Sequence, residues 1–423
     1  MSGTTSKNSH SGLQIVLLAG VTASTGWAID LCLPALPFIA ASLEADMGQV
    51  QQTLSVFILG VALGQLVYGP LSDRFGRKRV LVFGFVVFIL GSILCASAQS
   101  VEQLVMFRLI QSLGVAVGAV VMRAVVRDLF QGERAAKVLS QMMLIMLTAP
   151  LIAPLLSAQL LRWFSWRVIF WLLVAIGLTL LAGVLLKLPE TLPVAERREI
   201  SLKTLPGQYL KVLLDRNTAG YFLCGTFTFA GMFAFVAGSP FVYIQYFGVP
   251  VEYFGFLYGS NVLMISLLSW LNSRVIEKVG LGPMLTRATW LSMLSGVSVL
   301  FFALTGIGGL WGIYPSLVAF IGCLGLIAAN SAAGMLDPYG KTAGVVSSVM
   351  GAGRFLFGFF ASSMVGFFHN ETPVPMAAII CASSVLAFLS YRFLVSGQPA
   401  AAIMPPSRTS VCPTIQAAAR EER

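Results

Sequence analysis

Charged residues are scarce in this chain, which excludes several classes of protein. Only 10% of the 423 residues are charged, and histidine occurs twice, as His10 and His369. The sequence has no H-E-x-x-H metalloprotease motif and no G-x-S-x-G nucleophile motif. Neither histidine lies in an apolar segment where it would serve a catalytic triad inside a membrane. We therefore expect no enzymatic activity, no bound metal and no other cofactor.

Cysteine is also sparse and shows no pattern. The six cysteines are spread along the chain, without the close spacings of a metal site or the framework of a disulfide-rich domain. A cleaved signal peptide is not expected either. The residues before the first apolar run contain one lysine, and the run is too long for a signal and includes Asp30 and Pro34.

Long apolar runs dominate the rest of the sequence. Apolar residues make up 57% of the chain and the mean hydropathy is +0.85, well outside the composition of soluble domains. A helix crosses ~30 Å of hydrocarbon in about 20 residues. Twelve windows are expected to be membrane-spanning helices, at about 13–40, 49–70, 79–98, 101–126, 136–161, 166–188, 217–240, 252–272, 285–305, 311–331, 342–367 and 376–395.

The longest polar connection divides the windows into six and six. We expect an all-α integral membrane protein with twelve transmembrane helices, in an N-terminal six-helix bundle at 13–188 and a C-terminal six-helix bundle at 217–395. A cytoplasmic linker at 189–216 joins them. The tails at 1–12 and 396–423 are expected to be cytoplasmic, and the C-terminal tail is expected to be disordered.

Basic residues lie almost entirely on one side of these windows. With the N-terminus in the cytoplasm, 22 of the 27 lysine and arginine residues fall on the cytoplasmic side, and only Arg162 and Arg167 fall opposite. This bias predicts an inner-membrane protein with both termini in the cytoplasm. It also accounts for the net charge of +10. The charge therefore predicts contact with anionic membrane lipid and no nucleic-acid partner.

Asp30 is the only one of the seventeen acidic residues that lies deep inside an apolar run. A charged residue at the centre of a membrane helix costs about 2.5–3.5 kcal/mol on insertion scales, and such residues mark ion or substrate pathways. An acid held neutral by a backbone carbonyl is the alternative interpretation. Trp27 shares the helix face of Asp30. Pro34 cannot donate to the carbonyl of Asp30, so the helix is expected to flex there.

Arg108 is the basic residue expected to meet Asp30. At a rise of ~1.5 Å per residue, Asp30 lies about 15 Å and Arg108 about 10 Å below the outer surface. Burial disfavours the charged form of a carboxylate, whereas a nearby guanidinium favours it. The protonation of Asp30 is therefore expected to change with access to water and with the distance from Arg108, as proton coupling requires.

Two further arginines lie within apolar runs. Arg354 is expected about 20 Å from the cytoplasmic start of its helix, near the middle of the membrane. Meeting substrate oxygens and capping the carbonyls of broken helices both remain open roles for it. Arg123 lies about 33 Å along its helix, so it is expected to reach the cytoplasmic boundary and extend into water.

Other side chains in the runs have two interpretations. Gln65 and Asn261 either join helices by hydrogen bonds or face a substrate. Phe57, Phe233 and Tyr243 either pack in the interior or the interfacial belt, or line a cavity. The predicted substrate cavity contains Trp27, Phe57, Gln111, Phe233, Tyr243, Asn261 and Arg354.

The connection after the second run places one acid among four bases in a tight turn, and it reads Gly69-Pro70-Leu71-Ser72-Asp73-Arg74-Phe75-Gly76-Arg77-Lys78-Arg79. Asp73 is expected to lie at the N-terminus of the next helix or to pair with Arg77. This turn resembles the G-x-L-x-D-R-x-G-R-K signature of the major facilitator superfamily. The resemblance implies that Asp128 pairs with Arg77. The implied gating loop contains Gly69, Asp73, Arg74, Gly76, Arg77 and Asp128.

Further segments extend the resemblance over about residues 13–395. Arg108, Gln111 and Gly114 are similar to the R-x-x-Q-x-x-G element of the superfamily, and Pro150 and Pro154 resemble the antiporter motif of its drug exporters. A neutral residue is expected at the position of Arg123. The segments that resemble the Bcr/CflA drug-resistance transporters, and especially the bicyclomycin-resistance proteins, are 29–37, 166–171, 188–193 and 229–244.

This resemblance implies two six-helix bundles around a central cavity and proton-driven efflux of small toxic compounds. Asp30 and Arg108 are the predicted proton-coupling residues. The expected partners are a small-molecule drug, protons and membrane lipid, and the protein is expected to be a monomer. A proton-coupled symporter or exporter of a metabolite such as a sugar, peptide or amino acid is the alternative function.

Overall fold

The computed structural model describes residues 12–130, 132–146, 148–197, 207 and 213–396. Within them all regular secondary structure is helical, and twelve helices are long and apolar enough to cross a membrane. The twelve predicted spans are therefore confirmed. We number them span 1 to span 12 in chain order: Gln14–Ser42, Met47–Phe75, Arg77–Ser97, Val101–Leu129, Ser140–Leu161, Arg167–Lys187, Arg216–Tyr246, Val251–Val279, Leu281–Thr305, Leu310–Tyr339, Val346–Phe367 and Val374–Leu394.

Parts of the predicted linker and tails lie outside the described residues. These parts are residues 1–11, 198–206, 208–212 and 397–423. The predicted disorder of the C-terminal tail, and the bundle boundaries at the linker, stay predictions.

The spans form two groups of six. Spans 1 to 6 pack mainly against one another, with span 4 in contact with spans 2 and 3. Spans 7 to 12 do the same, with span 7 in contact with spans 10, 11 and 12. The two groups meet along span 2 with span 11 and along span 5 with span 8. The predicted fold class is confirmed, and the four interface helices border the space between the groups.

Polar residues cap several spans at their first turn. Asp46 accepts a hydrogen bond from the backbone N of Gly48 at 2.6 Å, and Ser100 accepts one from the backbone N of Gln103 at 3.3 Å. Asp46 caps the start of span 2 and Asp73 lies in its last turn, so these two residues mark its two ends. Consecutive spans alternate in direction. We call these two sides of the molecule the Asp46 end and the Asp73 end.

Spans 1 and 7 each contain a segment that departs from a regular α-helix. Span 1 consists of the α-helix Gly12–Asp30, the 3-10 turn Leu33–Ala35 and the α-helix Leu36–Ser42. Span 7 continues past Pro240 as the π-helix Phe241–Tyr246, which the sequence did not predict. Turns of π-helix inside longer helices are frequent at functional sites.

Span 4 packs against span 3 through glycines that leave no room for a side chain. A Cβ atom on Gly114 would lie 2.3 Å from the backbone N of Phe88 and 2.7 Å from the carbonyl O of Gly84. A Cβ on Gly91 would lie 2.6 Å from the backbone of Gln111. Small residues allow helices to approach closely in a membrane, where packing drives association. Gly114 of the R-x-x-Q-x-x-G element therefore has a packing role.

Replacing Gly114 with alanine should destabilise the first group of spans, because the added methyl group meets backbone atoms that cannot move aside. Overpacking of this kind costs about 1–3 kcal/mol. The melting temperature of the purified protein should fall. Gly282→Ala is the matched control, since the nearest atom to its added Cβ is the Tyr391 hydroxyl at 3.8 Å. Equal melting temperatures for the two variants would show that this close approach is not required.

Candidate functional site

Span 1 is interrupted at its acidic residue. The first α-helix ends at Asp30. Leu31 still donates to the carbonyl of Trp27, but the bonds that follow span only three residues, from Cys32 to Ile29 at 3.1 Å and from Ala35 to Cys32 at 3.0 Å. Pro34 has no N–H group and cannot donate to the carbonyl of Asp30. The interruption places the Asp30 carboxylate at the junction of two helical segments.

Asp30 is bound to a residue of the other group of spans. Its side chain is only 5% exposed, and its Oδ1 accepts a hydrogen bond from the hydroxyl of Tyr258 on span 8 at 3.1 Å. The Tyr258 ring stacks between Phe235 and Phe254, with centroid distances of 5.7 and 5.8 Å, which fixes the hydroxyl in place. Tyr258 is not among the residues predicted from the sequence. A polar ring one turn before Asn261 is the signal that points to it.

The predicted contact between Asp30 and Arg108 is wrong. Arg108 approaches the backbone of span 1, where its Nη1 donates to the carbonyl of Ala28 at 3.2 Å and to Gln111 Oε1 at 2.7 Å. Its guanidinium lies 4.1 Å from the centroid of the Phe57 ring. Among the described residues no carboxylate lies within 4.0 Å of it. The rise per residue predicts depth and not direction, and Asp30 points toward span 8 instead.

Arg108 belongs to a polar network inside the first group of spans. Gln111 Oε1 accepts from Arg108, and Gln111 Nε2 donates to the hydroxyl of Ser92 at 2.8 Å. Arg108, Gln111 and Phe57 are at most 1% exposed. The prediction that Gln111 and Phe57 line a substrate cavity is therefore wrong. Their contacts with Arg108 hold them in the core.

A cavity of about 620 Å³ lies between the two groups of spans. Its size is that of a small-molecule site, and Asp30 and Tyr258 form part of its wall. Methionine side chains adapt readily to differently shaped ligands. Much of the wall consists of methionine and phenylalanine side chains, including Met142, Met143, Met146, Met232, Phe229 and Phe233.

The structure places the predicted cavity residues in different surroundings. Gln65 and Pro150 lie in the cavity wall, whereas Pro154 is buried within the helix Thr148–Leu161. Trp27 is half-buried against the core, and Tyr243 is 0% exposed inside an aromatic cluster. Neighbouring apolar side chains enclose Tyr243, so its assignment to the cavity is wrong. Trp27 is not enclosed, but it does not line the described cavity either. The predicted residues that line the cavity are Phe233, Asn261 and Arg354.

Two arginines face this cavity from opposite groups of spans. Arg123 is exposed, six residues from the end of its helix, and it also lines the cavity, with its Nε donating to the carbonyl of Ala119 at 3.0 Å. Its extension into water at the cytoplasmic boundary stays a prediction. Arg354 Nη2 donates to the carbonyl of Ala328 at 3.2 Å, and its guanidinium lies 4.5 Å from the Phe229 ring centroid. Ala328 lies within the continuous helix Leu310–Leu336, so this contact does not cap a broken helix, and contact of Arg354 with substrate oxygens stays a prediction. The two positive charges repel each other.

The loop at the Asp73 end contains both predicted ion pairs. Arg77 is 4% exposed, its Nη1 contacts Asp73 Oδ1 across the turn between spans 2 and 3, and its Nε lies 3.3 Å from Asp128 Oδ2. Gly76 joins spans 2 and 3 with a φ of +97°, which glycine adopts without a Cβ clash. The remaining predicted loop residues lie nearby on span 2: Gly69 and Arg74.

The segment after span 6 binds to this loop. Glu190 Oε1 accepts a hydrogen bond from the backbone N of Arg77 at 2.8 Å, and Thr191 Oγ1 donates to Asp128 Oδ2 at 3.1 Å. Neither contact is among those predicted from the sequence. Their signal is that an acid and a hydroxyl follow span 6 directly, on the same side of the membrane as the loop.

The two groups of spans touch near the Asp46 end. Gln52 Nε2 on span 2 donates to the carbonyl of Ser363 on span 11 at 3.0 Å. A Cβ on Gly48 would lie 2.5 Å from the carbonyl O of Gly366, so the two backbones are in close contact. The cavity extends from Asp30 toward the other end of the molecule, where Arg123 lies.

Comparison with known proteins agrees with this architecture. The model of the Major Facilitator Superfamily matches residues 16–362. A bicyclomycin resistance protein homolog of Haemophilus influenzae is 33% identical over 368 residues, covering 87% of this chain and 92% of that protein. Multidrug resistance protein MdtL of Escherichia coli is 29% identical over 386 residues, covering 88% and 93%.

A solved structure of a D-xylose-proton symporter has the same fold, with a TM-score of 0.70 at 15% identity, covering 91% of this chain and 98% of that one. The family match spans most of the described residues, and the spans form two groups around one cavity. The chain therefore belongs to the major facilitator superfamily and is a multi-pass membrane transport protein.

Proposed function

We propose that this transporter exports small toxic compounds in exchange for protons, by alternating access across the inner membrane. Relatives named for bicyclomycin and multidrug resistance support export of antibiotics. A mainly apolar wall rich in methionine suits compounds of varied shape. The observation that carries proton coupling is Asp30, the one carboxylate among the described residues of the cavity wall, bonded across the two groups to Tyr258.

Competition at Asp30 couples the two ligands. Ionised Asp30 is a strong acceptor for the Tyr258 hydroxyl, and protonation weakens this charge-assisted hydrogen bond. A substrate with a donor group or a positive charge competes with the proton for the same oxygen atoms. Each ligand then lowers the affinity for the other. Substrate from the cytoplasm releases the proton, and a proton from outside releases the substrate.

Alternating access requires the contacts at the Asp46 end to open while the Asp73 end closes. We assign the Asp73 end to the cytoplasm because basic residues concentrate on that side. With the Gln52–Ser363 contact in place, the structure then corresponds to an inward-facing state. One proton charge crossing 100 mV supplies ~2.3 kcal/mol, which supports roughly a 50-fold gradient of substrate.

Arg108 enters this mechanism as a positioning residue. It holds the carbonyl of Ala28, two residues before Asp30, and its charge is satisfied by Gln111 and the Phe57 ring. It therefore fixes the part of span 1 that precedes the interruption, and proton exchange is assigned to Asp30 alone.

Reporter fusions test the orientation. A fusion of alkaline phosphatase after Gln99 should be active, because this connection is assigned to the periplasm. A fusion of green fluorescent protein after Pro193 should fluoresce in the cytoplasm. An inactive alkaline phosphatase after Gln99, or a green fluorescent protein after Pro193 that does not fluoresce, would contradict the assignment.

Proton coupling is tested with Asp30→Asn in a host that lacks its major efflux pumps. The wild type should lower accumulation of at least one compound from a panel of bicyclomycin, sulfonamides and phenicols, and collapse of the proton gradient should abolish this. Asp30→Asn should reach the membrane but show no efflux, because the amide keeps size and hydrogen bonding without exchanging a proton. Asp215→Asn is the matched control, since Asp215 caps span 7 through Thr218 and asparagine caps equally well.

Purified protein gives a second measurement of the same coupling. Adding the exported compound to the wild type in weakly buffered detergent should release protons, and Asp30→Asn should release none. Export against a gradient by Asp30→Asn would show that another group carries the proton. Accumulation driven by the proton gradient, instead of export, would indicate the metabolite symporter.

The loop at the Asp73 end is proposed to act as a conformational latch. Asp73→Asn should lower the initial transport rate severalfold, because it removes an ion pair that stabilises one of the two states. Equilibrium binding in detergent should stay nearly unchanged, since Asp73, Arg77 and Asp128 do not line the described cavity. Arg79→Gln, an exposed change in the same turn, is the control. A tenfold loss of affinity in Asp73→Asn would place the loop in the binding site instead.

A further inference from the structure

The charges of the central cavity are separated along its length. Counted at ~1.5 Å per residue from the Asp73 end of each helix, Asp30 lies about 27 Å in, Arg354 about 16 Å in and Arg123 about 9 Å in. The Cα atoms of the two arginines therefore lie roughly 10 Å or more closer to the Asp73 end than the Cα atom of Asp30. The cavity therefore has an acidic part at Asp30 and a basic part, formed by Arg354 and Arg123, nearer the Asp73 end.

Neither arginine has a counter-ion in the part of the chain that the structure describes. Among the described residues no carboxylate lies within 4.0 Å of either guanidinium. The buried Nε of Arg354 has no hydrogen-bond partner there, and its Nη2 donates to the carbonyl of Ala328. Arg123 has a carbonyl, that of Ala119, as the acceptor of its Nε. Arg123 is exposed at the mouth of the cavity, whereas Arg354 is partly buried. A buried charge is stabilised by an ionic or strongly polar partner, which a ligand can supply.

An apolar wall connects the two parts of the cavity. Phe229 lies under the guanidinium of Arg354, and the rings of Phe233 and Phe355 pack against each other at 5.5 Å. Met232 lines the same wall. A ligand that spans both charged parts must therefore have an apolar body.

We infer that the transported compounds are dipolar, with a hydrogen-bond donor or positive charge at one end, an acid or oxygen acceptor at the other, and an apolar body about 10 Å long between them. The donor end binds Asp30, and the acceptor end binds Arg354 and Arg123. This inference rests on the proposed function, because the donor end is the group that competes with the proton.

Compounds of one charge sign fit the cavity less well. A simple cation bound at Asp30 gains no binding energy from the basic part of the cavity, where two guanidiniums repel it. A simple anion is attracted to the guanidiniums, but it binds better when Asp30 is protonated, which favours co-transport with the proton over exchange. A dipolar compound satisfies both parts and still competes with the proton.

Three probes with the same alkyl body test this: 8-aminooctanoate, octylammonium and octanoate. The amino and carboxyl groups of extended 8-aminooctanoate are about 10 Å apart. Affinity is measured by equilibrium dialysis of the purified full-length protein in neutral detergent, with protein-free micelles correcting for partition. The aminooctanoate should bind at least about tenfold tighter than either single-charge probe.

Variants separate the two ends of the site. Arg354→Gln and Arg123→Gln should each weaken binding of aminooctanoate and octanoate about tenfold and leave octylammonium unchanged or tighter. Asp30→Asn should weaken aminooctanoate and octylammonium and leave octanoate unchanged or tighter. Arg354→Lys keeps the charge and should retain most of the octanoate affinity. Arg274→Gln, on an exposed arginine beside Trp270, is the control.

Three results would overturn the dipolar assignment: no detectable binding of aminooctanoate, octylammonium binding as tightly as aminooctanoate, or unchanged aminooctanoate affinity in both arginine variants. Persistent Asp30-dependent efflux would then leave the exporter proposal standing. Selective aminooctanoate binding without any efflux or proton release would instead overturn the exporter proposal alone.

Discussion

The hydrogen bond from Tyr258 to Asp30 is the contact on which the central part of this transporter depends. A carboxylate surrounded by apolar side chains needs a donor, and Asp30 obtains it from the opposite group of spans. Two rings, Phe235 and Phe254, hold Tyr258 in place. Because Asp30 also ends a helical segment, a change in its protonation acts where span 1 is interrupted and where the two groups meet.

The arginines of the membrane region and its Asp73 end fall into two groups, according to whether polar or aromatic partners within the protein surround the charge. Arg108 is enclosed by a carbonyl, an amide oxygen and an aromatic ring, so its charge is satisfied within one group of spans. Arg77 is likewise satisfied by two carboxylates at the Asp73 end. Arg123 and Arg354 face the cavity without a described carboxylate partner. Arginines whose charge has partners within the protein stabilise the fold, whereas Arg123 and Arg354 are available to bind a ligand.

Much of the fold follows from the sequence because the hydrocarbon imposes it locally. Span number and length follow from apolar runs of about 20 residues, and the interruption of span 1 follows from Pro34, four residues after Asp30. The Asp73–Arg77 pair was predictable because the two residues lie four positions apart on the two sides of one tight turn. Each of these features depends on residues close together in the chain.

The features that sequence analysis missed depend on the direction in which a helix faces and on contacts between distant segments. Depth along span 4 placed Arg108 at the right height, but the rotation of the helix turned its side chain to Ala28. The same rotation turned Arg123 into the cavity. Tyr258 meets Asp30 only because spans 1 and 8 come together between the two groups, which no local pattern records.

Infrared difference spectroscopy of the purified transporter tests the central claim most directly, because it detects the protonated carboxyl group itself. Binding of an exported compound at a pH where Asp30 is protonated should remove the C=O stretching band of a protonated carboxyl group. The same compound should produce no such change in Asp30→Asn, and Tyr258→Phe should shift the band. An unchanged carboxyl band in the wild type, or an equal loss in Asp30→Asn, would contradict exchange of substrate for a proton at Asp30.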